Sequence, residues 1–159
     1  MADPRFPSPL SEALAEPALE RFLRYVVIDT EAVYGSSTYP SRLEQLELSR
    51  LLERELRELG LADVVLTEHG YVIATLPGTV PDAPVIGLIS HVDTSPDAPG
   101  AGVKPIVHRA WDGEPIVLPG DPSQVLDPAE NEPLRERIGQ DIVTSDGTTL
   151  LGADNKAGV

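Results

Sequence analysis

The sequence contains no cysteine, and this absence restricts the chemistry available to the chain. It excludes disulfide bonds and zinc sites built from thiolates, so His, Asp and Glu are the metal ligands that the chain can offer. A protein without cysteine suits a reducing compartment, and we expect it to be cytoplasmic.

Basic residues are scarce, and long apolar runs are missing. Lys and Arg number 12 against 26 Asp and Glu, which gives a formal net charge of −14. This balance argues against nucleic acid or an anionic membrane as a partner. No apolar run approaches the roughly 20 residues that cross a bilayer, and the first residues lack the basic start and apolar stretch of a secretory signal. We therefore expect neither a nucleic-acid nor a membrane partner.

The length of 159 residues and the 41% hydrophobic content indicate one globular domain or part of one. Residues 1–17 are rich in Pro, Ala and Glu, and we expect a disordered or frayed leader there. Pro17 suits the first turn of a helix. An apolar stripe at helical spacing follows, formed by Leu19, Phe22, Leu23, Val26 and Val27.

A second helix is predicted by Ser41 and Glu44, whose spacing is that of a capping box. Gly60 supplies its C-terminal stop. Its predicted buried stripe consists of Leu48, Leu51, Leu52, Leu56 and Leu59. Residues 63–68 and 71–76 are rich in β-branched residues around His69-Gly70, which predicts a hairpin.

The rest of the chain has a β character. Residues 85–89 are apolar at nearly every position, which suits a central strand covered on both faces. Residues 94–140 carry many Pro and Gly, and we expect irregular edge structure. Asp146-Gly147 is a tight-turn signal between β segments at 141–145 and 148–151. The order of elements predicts an α/β domain in which helices cover a mixed sheet.

Two stretches carry candidate chemistry. His91 and Asp93 directly follow the predicted buried strand, and residues two apart in extended chain point to the same side. Asp93 could therefore hold the ring of a metal-bound His91, or be a ligand itself. Asp154 follows the small residues Gly152 and Ala153, and its two oxygens can bridge paired metal ions about 3.5–4 Å apart. Zinc suits such ligands, and cobalt and manganese are alternatives.

Each of these residues also has an ordinary structural interpretation. A single histidine at a strand end is commonly a hydrogen-bonded structural residue. Asp154 could instead cap a helix that begins near Lys156. His69 and His108 are interpreted as structural or surface residues. The residues alone leave both the metal site and these alternatives open.

The motifs nevertheless resemble the M20 family of di-zinc metallopeptidases, and within it the aminopeptidases that act on tripeptides. The resemblance runs from about residue 18 to the end. It is carried by residues 20–26, 29–30, 89–97, 103–105, 112–113 and the string TSDGTTLLGADNKAG at 144–158.

The resemblance implies an αβα sandwich with a mixed central sheet, of which residues 18–159 form the N-terminal part. His91 would bind one of two zinc ions, Asp154 would bridge both, and Asp93 would orient His91 as a catalytic-site residue. The remaining ligands, the glutamate base and a smaller inserted domain would lie beyond residue 159. Asn155 departs from the family, which usually has a second aspartate there, and the Asp154–Asn155 peptide is cis in relatives.

The expected function is zinc-dependent release of the N-terminal residue from tripeptides or short peptides by metal-activated water, with this chain an incomplete and inactive part. Two alternatives stay open. One is another hydrolase of the family, a dipeptidase or an N-acyl-amino-acid deacylase. The other is a non-catalytic truncated module that binds a partner through exposed surface.

Overall fold

A computed structural model describes residues 5–159. The elements in chain order are α1 (Pro9–Val26), α2 (Gln45–Glu58), β1 (Ala62–Leu66), β2 (Val72–Thr75), β3 (Ile106–His108), β4 (Ile116–Val117), β5 (Val125–Leu126), α3 (Glu132–Arg135), β6 (Ile142–Thr144) and α4 (Ala153–Lys156). The strands form three antiparallel pairs, β1 with β2, β3 with β6 and β4 with β5. The chain is thus of mixed α and β structure, as predicted, but its described sheets are small and antiparallel. Within residues 5–159, no helix has the length and apolar character needed to cross a membrane.

The chain divides into two units. The first unit comprises the described residues up to Val27 together with Ala98–Leu151. The second unit comprises Ile28–Asp97 and Gly152–Val159. The second unit holds α2, the β1–β2 hairpin and α4, and all three predicted site residues belong to it.

Helix α1 begins at Pro9, so the prediction that it begins at Pro17 is wrong. The Ser8 hydroxyl accepts a hydrogen bond from the Ser11 backbone N–H at 3.1 Å, and the Ser11 hydroxyl accepts one from the Ser8 N–H at 3.0 Å. This capping box supplies partners for N–H groups at the start of the helix. Residues 9–17 are therefore helical rather than a frayed leader, whereas residues 1–4 of that prediction lie outside the described chain.

Helix α2 begins at Gln45, and the predicted capping box at Ser41 is not formed. The Ser41 hydroxyl is engaged elsewhere, because it accepts hydrogen bonds from the Val33 N–H and the Gln45 side-chain amide. Leu48 and Leu52 are the buried leucines of the predicted stripe, while Leu59 is exposed. Gly60, at φ +80°, follows the end of the helix as predicted.

The predicted hairpin is confirmed. Strands β1 and β2 pair in antiparallel fashion, with Val65 opposite Ile73 and Leu66 opposite Val72. The backbone N–H of Gly70 donates to the carbonyl of Thr67 and closes the turn between them.

The apolar run at 85–89 is not the central strand that its composition predicts. It has no regular structure, and Val85, Ile86, Leu88 and Ile89 are 81–98% exposed. A strand requires a neighbour for its N–H and C=O groups. In the described part of the second unit, β1 and β2 pair only with each other, and the run at 85–89 pairs with neither of them.

Residues 94–140 contain more order than expected. Trp111, Ile116 and Leu118 form a buried cluster, with Leu126, Leu134 and Ile142 packed against it. Strand β6 pairs with β3, with Val143 opposite Val107. The predicted β segment at 141–145 is confirmed by β6, whereas residues 148–151 form no strand, so the second predicted segment is wrong. The partner of β6 is β3, which is distant in the sequence, and a local turn signal does not indicate a distant partner.

Candidate metal centre

The second unit brings His91, Asp93 and Asp154 together. The Nδ1 atom of His91 lies 3.0 Å from the carbonyl oxygen of Asp93 and 3.1 Å from its Oδ1. On the other side of the ring, Nε2 lies 3.1 Å from Oδ1 of Asp154. The imidazole is therefore held between two carboxylates that come from distant parts of the chain.

Asp154 is presented by the short turn α4, which differs from an ordinary helix. Gly152 precedes it with φ +77°, a left-handed conformation that glycine adopts without steric cost. The backbone angles of Asp154 are not helical, and the Asp154–Asn155 peptide bond is cis, as the sequence resemblance implies. The Ser90 hydroxyl donates to the Asn155 carbonyl at 3.2 Å, which ties the turn to the residue before His91.

The electrostatics of the cluster favour a positively charged partner. Desolvation lowers the pKa of His91, but hydrogen bonding to Asp154 and Asp93 and the charges of both carboxylates outweigh it, so the net pKa is raised. The two carboxylates that favour a proton on the ring would also favour a bound cation.

The cluster is open to solvent. The side chain of Asp154 is 96% exposed, and those of His91 and Asp93 are about half exposed. Two surface depressions of about 350 and 390 Å³ lie elsewhere, one beside the start of α2 and the other on the first unit. Both depressions are lined by carboxylates but by no histidine, so the cluster is identified by its imidazole and carboxylates and not by a cavity.

The donor set fits part of a zinc site. Two atoms that bind one tetrahedral zinc ion at about 2.0–2.1 Å lie about 3.3 Å apart, and the distance from Nε2 of His91 to Oδ1 of Asp154 is 3.1 Å. Asp93 holds the opposite nitrogen, so that Nε2 is the atom left for a metal. Only two donors face the same point, and residues 5–159 contain no group of three or more His, Asp or Glu arranged to hold an ion. The cluster can supply two ligands of a larger set.

The other two histidines lie apart from this cluster. His69 has an exposed side chain and makes an edge contact with the ring of Tyr39. In the first unit, Nε2 of His108 lies 3.1 Å from the hydroxyl of Thr144. Nε2 of His69 also lies 3.8 Å from Oε1 of the exposed Glu68, whereas the contacts described for His108 include no carboxylate.

The sequence analysis did not single out Lys156, which lies two residues after Asp154. Its side chain is buried, and Nζ donates to the carbonyl of Ile28 at 2.8 Å. Burial lowers the pKa of Lys156 to about 8, and the charge of Asp29 offsets part of this effect. The only signal in the sequence is a lysine among small residues, in the string GADNKAG.

Comparison with known proteins gives a consistent result. A protein of Alkaliphilus oremlandii named peptidase T is 46% identical over 144 residues, which is 89% of this chain. A peptidase T of Desulfitobacterium hafniense is 51% identical over 142 residues, again 89% of the chain. One of Bacillus thuringiensis is 46% identical over 147 residues, or 92% of the chain.

The chain is similar to peptidase T. This similarity confirms the resemblance carried by the motifs. The chain spans about a third of the length of these peptidase T relatives, with 34–36% of each relative covered. No protein-family model matches the chain.

Proposed function

We propose that this chain is the N-terminal part of a zinc-dependent aminopeptidase that releases the N-terminal residue of tripeptides or short peptides. The observation that carries the proposal is His91 held between Asp93 and Asp154, in a chain about half identical to proteins named peptidase T. The protein would act in the cytoplasm as a member of the M20 family.

Each residue of the cluster would have a distinct task. His91 would bind one zinc ion through Nε2, because Asp93 accepts a hydrogen bond from Nδ1 and fixes the ring. Asp154 would bridge two zinc ions, because its side chain is exposed and both oxygens are accessible. Cobalt or manganese would suit the same atoms. When bound, the metals would polarise the scissile carbonyl and activate water.

Residues 18–159 would form the first part of an αβα sandwich with a mixed central sheet, in which the run at 85–89 becomes a paired strand. The exposed apolar side chains of this run support the proposal, because four such side chains leave water when the run gains neighbours. The remaining zinc ligands, the general base and a smaller inserted domain would come from other parts of the longer protein.

Metal binding by the purified chain tests the site itself. Titration with Zn²⁺, followed by NMR of the histidine rings, should perturb His91 and leave His69 and His108 unchanged. His91→Ala should abolish the response, whereas His69→Ala, in the same unit, should not. A response shared equally by all three histidines, or none at His91 up to millimolar zinc, would contradict the assignment.

Peptide hydrolysis tests the activity. The longer gene product that contains this chain should cleave tripeptides faster than dipeptides or N-acyl amino acids, and Asp154→Ala should abolish cleavage. The 159-residue chain alone should show negligible turnover, because it offers one imidazole and one bridging carboxylate for two metals. Preferred cleavage of acyl amino acids would favour a deacylase of the same family, and measurable turnover by the chain alone would overturn the incomplete-site argument.

A further inference from the structure

Lys156 is a buried lysine on the short turn that also carries the exposed Asp154. It belongs to the same four-residue element as Asp154. Yet it is only 2% exposed, while the Asp154 side chain is 96% exposed. The carboxylate of Asp154 therefore lies in solvent, whereas the side chain of Lys156 lies in the interior.

The ammonium group is held by a backbone carbonyl. Nζ donates to Ile28 O at 2.8 Å, and the charge of Asp29 acts on the ammonium group without an ion pair between them among the contacts described. Burying a charge without a close counter-ion costs stability. An apolar side chain of similar length would avoid that cost, so stability alone does not account for a lysine at this position.

Ile28, whose carbonyl accepts the bond from Lys156, directly precedes a segment that is hydrogen-bonded to Thr94, the residue after Asp93. The Thr94 N–H donates to Thr30 O at 3.1 Å, and the Ala32 N–H donates to Thr94 O at 2.9 Å. These bonds form a parallel bridge between Glu31 and Thr94. Lys156 thus links the turn that carries Asp154 to the segment that forms a bridge with Thr94, the residue after Asp93.

The stem of Lys156 lies close to that ladder. A Cβ atom placed on Gly152 would lie 3.2 Å from Cγ2 of Thr94 and 3.6 Å from Cδ of Lys156. Gly152, Thr94 and the lysine stem therefore share one crowded space. The hydrogen bond from Ser90 to the Asn155 carbonyl also holds the turn.

We propose that Lys156 is a positioning residue, whose hydrogen bond to Ile28 O holds the 153–156 turn so that the Asp154 carboxylate faces Nε2 of His91. The inference deepens the proposed function, because it concerns the same two metal donors. The contact between His91 and Asp154 exists without metal, so it can be measured independently of zinc.

The test compares three variants of the 159-residue chain by NMR of the His91 ring nitrogens at one pH without metal. Asp154→Ala defines the signal when the contact is lost. Lys156→Met, which keeps the length of the stem but cannot donate, should move the His91 signal most of the way to that value. Lys104→Met should leave it unchanged, because Lys104 is bonded to Asp146 in the first unit.

Two further measurements separate positioning from folding. The far-UV circular dichroism spectrum of Lys156→Met should match that of the wild-type chain. Its midpoint of thermal unfolding should be the same or higher, because a buried charge has been removed. Its zinc affinity should fall by about tenfold or more, the effect typical of groups that orient metal ligands. If Lys156→Met does not fold, Lys156→Gln, whose donor nitrogen lies one bond closer to the backbone and should lose the contact with Ile28 O, is subject to the same expectation.

The outcomes also distinguish the two proposals. A His91 signal in folded Lys156→Met or Lys156→Gln that stays at the wild-type value would overturn the positioning role, whether or not the chain binds zinc. A signal that moves as expected in a chain that binds no zinc would support the positioning role and overturn the metal site. A lower zinc affinity together with the shifted His91 signal would support both.

Discussion

The contrast between Leu48 and Leu88 provides a direct test of the fold of the second unit. Both are leucines of the same unit, but Leu48 is fully buried on α2, whereas Leu88 is 94% exposed. Truncating a buried leucine to alanine removes transferred apolar surface and leaves a cavity, which together cost about 2–5 kcal/mol. Leu48→Ala should therefore lose about 3 kcal/mol of unfolding free energy, and Leu88→Ala should stay within about 0.5 kcal/mol of the wild type.

Urea unfolding measured by circular dichroism should resolve this difference. With a slope of about 2 kcal/mol per molar urea, Leu48→Ala should lower the midpoint by about 1.5 M, and Leu88→Ala by less than about 0.3 M. The single tryptophan, Trp111, lies in the first unit. Its fluorescence provides a second probe, because it reports on a different unit from the one that carries the substitutions.

A comparable loss for the two variants would refute the reasoning. It would show that residues 85–89 are buried in the folded chain, and the sequence-based prediction of a covered strand would then hold for the chain alone. In the longer gene product the same Leu88→Ala substitution should become costly, because the proposed function places this run in a paired strand. A small loss in the chain and a large loss in the longer gene product would show that residues outside this chain bury the run at 85–89.

Two further predictions concern glycine and acid stability. Gly152→Ala should destabilise the second unit more than Gly60→Ala, as measured by the urea midpoints of the two variants. Both positions have a left-handed φ that costs alanine about 1–2 kcal/mol, but only at Gly152 would the new Cβ crowd Thr94. Hydrogen bonds from Thr148 and Lys104 lower the pKa of Asp146 to about 2, so its contribution to stability is present above about pH 4 and is lost as the pH falls towards 2. Asp146→Asn should flatten the decline of the urea midpoint over that interval, and an unchanged slope would exclude the linkage.

Local signals in the sequence predicted the local parts of the fold. The β1–β2 hairpin follows from alternating β-branched residues around a glycine turn, and Gly60 marks the end of α2, because both depend on neighbours in the chain. Ser41 shows where this reasoning fails. Its spacing to Glu44 fits a capping box, but its hydroxyl has partners at Val33 and Gln45 that spacing cannot reveal.

Pairing between distant segments was not predictable. The apolar composition of residues 85–89 indicates that the run favours burial, but it does not identify a neighbour that could cover it. Strand β6 pairs with β3 and not with the residues that follow its turn. In both cases the sequence encodes a preference for β structure, while the partner is decided by tertiary structure.

The candidate site was predictable to a different degree at each residue. His91 and Asp93 are two residues apart, so their contact follows from local geometry. The approach of Asp154 to His91 is non-local, and the motif resemblance supplied it before the structure did. Lys156 escaped notice because its importance depends on burial against Ile28, which no pattern of residue types expresses.

The exposure of the site has a consequence for its chemistry. Asp154 is almost fully in water, where charge interactions are weakened by the high dielectric constant. A metal held there by His91 and Asp154 alone would bind weakly and would polarise a carbonyl poorly. Under the proposed function, the longer protein must both add ligands and exclude water from this surface. Zinc affinity should therefore be much higher in the longer gene product than in the chain, and the increase should be lost with His91→Ala.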